Sequence, residues 1–80
     1  MSGASDERVF EILARVSGRD RATIKPEQDL AADLDVGSAQ ALELLATLEE
    51  ELSVEISEVE AARLRSVRDV LEFVRAARPA

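Results

Sequence analysis

The 80-residue chain has no cysteine, histidine, tryptophan or tyrosine, and only two phenylalanines. Without cysteine there are no disulfides and no thiolate metal centres, and no sign of an oxidising compartment. Without histidine the usual acid–base group at neutral pH is gone, and with two rings there is little for a nucleobase to stack on. No apolar run approaches the roughly 20 residues that span a bilayer. The opening MSGASDERVF has neither a basic n-region nor an apolar h-region. A chain this short buries only about 60% of its unfolded surface, which leaves no room for a large enzyme cleft. These absences point to a soluble, cytoplasmic, non-catalytic protein whose chemistry must come from outside.

Basic residues are also missing from one long stretch. Residues 1–25 carry five basic and four acidic groups, residues 26–62 carry eleven acidic and none basic, and residues 63–80 carry five basic and two acidic. The net charge of −7 is therefore concentrated in the middle of the chain. Such a block is repelled by phosphate backbones and anionic lipid, so no nucleic acid partner and no membrane insertion are expected, whereas basic protein patches suit it.

Periodicity predicts an all-α protein: a small four-helix bundle of three main helices and a short third one, folded as a single domain over 1–80; a monomer is expected. Ser5 is placed as the cap of a helix over about 5–17, with Val9, Ile12, Leu13 and Val16 on one face and Gly18 as its stop. Residues 18–37 hold no sustained period and contain Pro26, so they read as a long ordered loop pinned by Ile24, Leu30 and Leu34. A second helix, 38–52, carries Ala41, Leu45, Leu48 and Leu52 inward, with Leu42 and Leu44 widening that face. Ser57 with Glu60 fits a capping box for a helix over 57–63, and Ser66 with Asp69 fits another for 66–77, ending before Pro79. The expected core, and the lining of any apolar pocket in it, is Phe10, Leu13, Leu34, Leu42, Leu45, Leu48, Ile56, Val59, Leu64, Val70, Leu71 and Val74.

Two features of the second helix stand out. On its outer side Ala39, Glu43, Ala46 and Glu50 alternate small apolar groups with carboxylates. At its start, Ser38 follows Gly37, and spacing alone makes Ser38 an N-cap worth about 1 kcal/mol. A calcium loop starting at Asp33 is excluded, because Gly37 and Ser38 fall where a ligand and a glycine are required and Leu44 falls where the closing Glu belongs.

Taken together, these residues resemble the acyl carrier protein family. The likeness covers nearly the whole chain and is most specific in ALELLATLEEELSVEIS, which is similar to the family's Glu-Leu…Leu-Glu-Glu-Glu…Glu-Ile run. The resemblance implies that Ser38 carries phosphopantetheine, added from coenzyme A by a phosphopantetheinyl transferase, and that acyl groups ride on its thiol as thioesters. It implies docking of the transferase and of acyl-handling enzymes with basic patches through Asp35, Val36, Ala39, Glu43, Ala46, Glu50 and Glu55, extended by Glu58 and Glu60. Fatty-acid, polyketide and related specialised pathways, including aminoacyl or peptidyl carriage, remain open. So does an unmodified relative that serves as an acidic interaction module. A phosphodiester at a helix N-terminus would face unpaired N–H groups and the positive end of the dipole. The family's usual Gly-x-Asp-Ser-Leu reads here Asp35-Val36-Gly37-Ser38-Ala39, with Gly and Asp exchanged and Leu shortened to Ala.

Overall fold

The computed structural model describes the backbone of residues 2–77 and the side chains of residues 6–77. Four helices follow in order: α1 Ser2–Ser17, α2 Ser38–Leu52, α3 Glu58–Arg63 and α4 Val67–Ala76, with one 3₁₀ turn at Arg21–Thr23. No strand occurs among the described residues, only an isolated antiparallel bridge between Asp29 and Ser66. The small helical bundle expected from periodicity is therefore the fold. Pro79 lies outside the described residues.

The first helix starts earlier than capping chemistry suggests. It begins at Ser2, so Ser5 lies inside α1 rather than capping it. Its other end follows the expected glycine stop: Gly18 takes φ +72°, and the Gly18 and Arg19 N–H groups both donate to the Ala14 carbonyl, at 2.9 and 3.2 Å.

Val9, Ile12 and Leu13 of α1, Leu44 and Leu48 of α2, and Val67, Val70 and Leu71 of α4 form one buried aliphatic cluster. Each such side chain contributes roughly 1.5–3 kcal/mol when fully buried. Phe10, Ala41, Leu52, Ile56, Leu64 and Val74 pack partly buried around it. Two expected core residues do not belong there. Leu42 is 68% exposed and Val59 is 63% exposed. The cause is helix phase: with about 100° per residue, the inward direction set by Leu44 and Leu48 leaves Leu42 well over 90° away from it. Leu45 is only half-buried, at the edge of that face.

The long loop is held, not free. Ile24, Leu30, Leu34 and Val36 are buried in the core. Leu30 N–H donates to Arg65 O at 2.9 Å, while Val67 and Arg68 N–H donate to Gln28 O and Pro26 O at 3.0 and 2.9 Å. These bonds stitch residues 26–30 to the start of α4. Asp29 and Asp33 brace the next turn, where the Asp29 N–H donates to Asp33 Oδ2 (2.7 Å) and the Ala32 N–H to Asp29 Oδ2 (2.8 Å). The loop thus delivers a fixed backbone to the head of α2.

Candidate functional site at the head of the second helix

Ser38 is not the cap of α2. Gly37 occupies that position with extended backbone (φ −84°, ψ −174°), and Ser38 is the first helical residue. Gly37 has no side chain to offer, so the cap is closed from the other direction: Gln40 Oε1 accepts the Gly37 N–H at 3.0 Å. The Ser38 hydroxyl makes no hydrogen bond among the described residues and the residue is exposed. Its neighbours Gly37 and Ala39 are exposed and small. The hydroxyl is free and sterically open.

The first intrahelical bond of α2 runs from Ala41 N–H to Gly37 O at 2.8 Å. The N–H groups of Ser38, Ala39 and Gln40 therefore have no helical partner. No acidic residue stands in the first turn of α2, whereas α3 carries Glu58 and Glu60 there and α4 carries Asp69. Of the three, α2 alone leaves its positive end uncompensated, and the residues present fit an anion tethered to Ser38.

Upstream, Asp35 adopts φ +57°, in the left-handed region. Leu34 and Val36 on either side are buried at 1% and 8% exposure, with Val36 N–H bonded to Leu30 O at 2.9 Å. Val36, expected on a docking surface, is thus a core anchor that fixes the loop before the serine. Asp35 is exposed, and its carboxylate accepts no hydrogen bond among the described residues. Glycine is the residue that suits a left-handed position, and Asp, Asn, Ser or Thr suit an N-cap. Asp35 and Gly37 hold the opposite arrangement, at a local disadvantage of about 1 kcal/mol.

The remaining surface residues of α2 line up outward. Ala39, Glu43, Ala46 and Glu50 are all exposed, and Leu42 extends their stripe on one flank. Glu55, Glu58 and Val59 are exposed further along the chain, while Glu60 is half-buried. Leu42 and Val59 are the surface residues that periodicity missed. Phasing α2 on Leu44 instead of Leu45 would have found the first. Other carboxylates are committed. Glu51 pairs with Arg15 at 3.0 Å and Arg8 at 3.7 Å, and Glu49 accepts the Ile56 N–H at 3.2 Å. Glu60 accepts the Ser57 N–H at 3.0 Å, and that bond holds its carboxyl below the ordinary range.

A cleft of about 300 Å³ is walled by Leu30, Ala31 and Val36 of the long loop, Ala41 in the first turns of α2, and Leu64, with Asp29 and Arg65 at its polar edge. Leu64 alone of these was expected as pocket lining. A larger cleft of about 640 Å³ lies at Glu49, Glu55, Ile56, Ser57, Glu60 and Phe73. It is carboxylate-rich and begins about 16 Å along α2 from Ser38, so it is the less suitable home for anything tethered there. No group of residues suited to hold a metal ion occurs among the described residues.

The structure is thus a small helical bundle that presents an exposed serine hydroxyl at the head of its second helix. A family profile described as "Phosphopantetheine attachment site" matches residues 7–74. The acyl carrier protein of Thermosynechococcus vestitus is 41% identical over 68 residues, 85% of this chain and 84% of that protein. A solved structure of an acyl carrier protein from Mycobacterium tuberculosis superposes with a TM-score of 0.82 at 30% identity, covering 88% of this chain and 93% of the other. The apo doublet acyl carrier protein from prodigiosin biosynthesis shares the fold, with a TM-score of 0.78 at 16% identity; the match covers 94% of this chain and 36% of that one. The chain belongs to the phosphopantetheine-binding acyl carrier protein family. Its prosthetic group is covalently bound phosphopantetheine.

Proposed function

We propose that Ser38 is the attachment residue and that the chain holds acyl intermediates as thioesters for partner enzymes of fatty-acid, polyketide or related specialised biosynthesis. The observation that carries this reading is the exposed Ser38 hydroxyl, free of hydrogen bonds among the described residues and standing over three N–H groups without helical partners. When bound, the group supplies the thiol that a chain without cysteine lacks. The chain's own residues orient and release. The N–H groups of Ser38, Ala39 and Gln40 receive the phosphate charge, Gly37 and Ala39 leave its approach clear, and buried Val36 keeps the attachment point rigid.

The domain itself performs no catalysis in this reading and works as a substrate of other enzymes, as a cytoplasmic monomer. Its docking surface comprises Asp35, Ala39, Leu42, Glu43, Ala46, Glu50 and Glu55, with Val59 beside it. Charge steers basic partners to this face, and the exposed leucine supplies the apolar contact that charge alone lacks. The cleft walled by Leu30, Val36, Ala41 and Leu64 is the place for the acyl end of the cargo.

Intact mass tests the attachment. Incubation with coenzyme A, magnesium and a promiscuous phosphopantetheinyl transferase should add one phosphopantetheine to the native chain and none to Ser38→Ala. Because Ser38 is not the cap, that variant should melt with the native chain rather than lose the roughly 1 kcal/mol of a capping serine. An unchanged mass with several transferases, and after isolation from the native host, defeats the carrier reading and leaves an acidic interaction module.

A further inference from the structure

At the heads of α2, α3 and α4 the third helical residue reaches back to the N–H of the cap position. In α3 and α4 that residue is a carboxylate: Glu60 accepts the Ser57 N–H and Asp69 the Ser66 N–H, each at 3.0 Å. In α2 it is a neutral carboxamide, Gln40, whose Oε1 accepts the Gly37 N–H at 3.0 Å. A carboxylate is the better closure for a bare helix, because it also meets the positive end of the dipole. The chain uses one at both later helix starts and forgoes it where the helix opens on Ser38.

Gly37 belongs to the same arrangement. A Cβ there would lie 3.1 Å from Gln40 Oε1, so the missing side chain leaves room for the carboxamide over the cap. Only the oxygen of an amide can accept an N–H, so this contact also fixes which way round the group sits: Oε1 is committed to the backbone, and Nε2 keeps its two N–H donors. Among the described residues Nε2 makes no hydrogen bond. These donors are held two positions from the serine, beside the backbone N–H groups of Ser38, Ala39 and Gln40 that have no helical partner.

We infer that Gln40 is a positioning residue for the prosthetic group: Nε2 donates to the phosphodiester on Ser38 while Oε1 keeps the Gly37 N–H. Its neutrality leaves the phosphate to supply the negative charge that Glu60 and Asp69 supply at the other two helix starts. This inference rests on Ser38 being the attachment residue, and the ligand is the one named by the phosphopantetheine profile over residues 7–74. Loading therefore completes the start of α2. A carboxylate at position 40 would close the bare helix equally well but would stand as a like charge against the diester.

Two substitutions separate these roles. Gln40→Glu keeps the acceptor for Gly37 and replaces the donor by a charge, whereas Gln40→Met removes acceptor and donor together. Melting midpoints of each chain before and after loading from coenzyme A, with intact mass confirming one arm per chain, measure the effect. Each shift is taken within one chain, so a change in the bare fold does not enter it. Bare Gln40→Glu should melt no lower than the bare native chain. Loading should raise the native midpoint, and the shift in Gln40→Glu should fall short of the native one by roughly 4 °C. The Gly37 amide should exchange more slowly after loading in the native chain and faster in Gln40→Glu, where repulsion draws the carboxylate off the cap. Equal midpoint shifts in the native and Gln40→Glu chains overturn the inference, as does a Gln40→Met chain that gains as much from loading as the native one. A native chain that accepts no arm from any transferase overturns the attachment reading and this one with it, whereas a loaded native chain whose variants respond alike overturns this one alone.

Discussion

Leu42, one turn beyond Ser38, shows how a single side chain changes role with the phase of its helix. Counted as core from its leucine-rich neighbourhood, it is 68% exposed and joins Ala39, Ala46 and the carboxylates Glu43 and Glu50. An exposed leucine contributes little to folding, so Leu42→Ser should change stability by less than about 0.5 kcal/mol. If it anchors a partner, the same change should raise the dissociation rate several-fold, whereas Glu43→Lys and Glu50→Lys should slow association and weaken its salt dependence. Stopped-flow binding of a partner enzyme at two ionic strengths, with thermal melts as control, reads both effects. Unchanged kinetics in all three variants would reduce the stripe to solvated surface. The same residues mark what the sequence made legible. The stripe of Ala39, Glu43, Ala46 and Glu50 follows from spacing alone, because exposed polar positions are not rearranged by packing. Leu42, Val59 and Val36 do not follow: an aliphatic side chain has the same signature whether it faces core or partner, and only tertiary contacts decide.

At the scale of elements, helix starts differ in how much chemistry announces them. Ser57 and Ser66 accept the N–H groups of Glu60 and Asp69 at 3.1 Å each, and Glu60 and Asp69 return the bond, as their spacing implies. The head of α2 is less legible, since Gly37 caps without a side chain and Gln40 reaches back to its N–H. For α1 the serine that spacing offers as a cap, Ser5, lies within a helix that begins at Ser2. Equal caps need not have equal consequences. Helix α4 buries Val67, Val70 and Leu71, whereas α3 buries no residue fully. Ser66→Ala should therefore cost about 1 kcal/mol of global stability and lower the melting midpoint by roughly 4–8 °C. Ser57→Ala should leave the midpoint nearly unchanged and instead speed amide hydrogen exchange within Glu58–Arg63. Equal midpoint losses in the two variants would show that α3 is an integral part of the cooperative unit.

For the whole molecule, ion pairs fasten the helices while the charge as a whole pushes them apart. Arg75 grips Asp6 at 2.6 and 3.1 Å between α4 and α1, Glu51 of α2 holds Arg8 and Arg15 of α1, and Arg21 bonds Glu7 at 2.8 Å while lying 4.8 Å over the Phe10 ring. The Arg75 guanidinium holds the Asp6 carboxyl below its ordinary range and Arg15 does the same for Glu51. Backbone N–H groups, chiefly those of Ser57 and Arg65, lower Glu60 and Asp69. A carboxyl whose folded pKa is depressed binds protons more weakly folded than unfolded. Its contribution is therefore complete above the ordinary carboxylate pKa of about 4 and disappears as pH falls through the lower folded value. Opposing this, the net charge of −7 at neutral pH vanishes near the isoelectric point of about 4.5, relieving repulsion among the eleven acidic groups of residues 26–62. The two effects cross, so stability should rise as pH is lowered from 7 to about 5 and fall steeply below about 4. Added salt separates them: at neutral pH roughly 0.5 M salt should raise the melting midpoint by screening the acidic block, and near pH 4.5 it should have little effect or lower it. Circular-dichroism melts across pH at low and high salt measure this. A midpoint that falls steadily from pH 7 downward, with no salt stabilisation at neutral pH, would mean that the exposed ion pairs outweigh the repulsion they bridge.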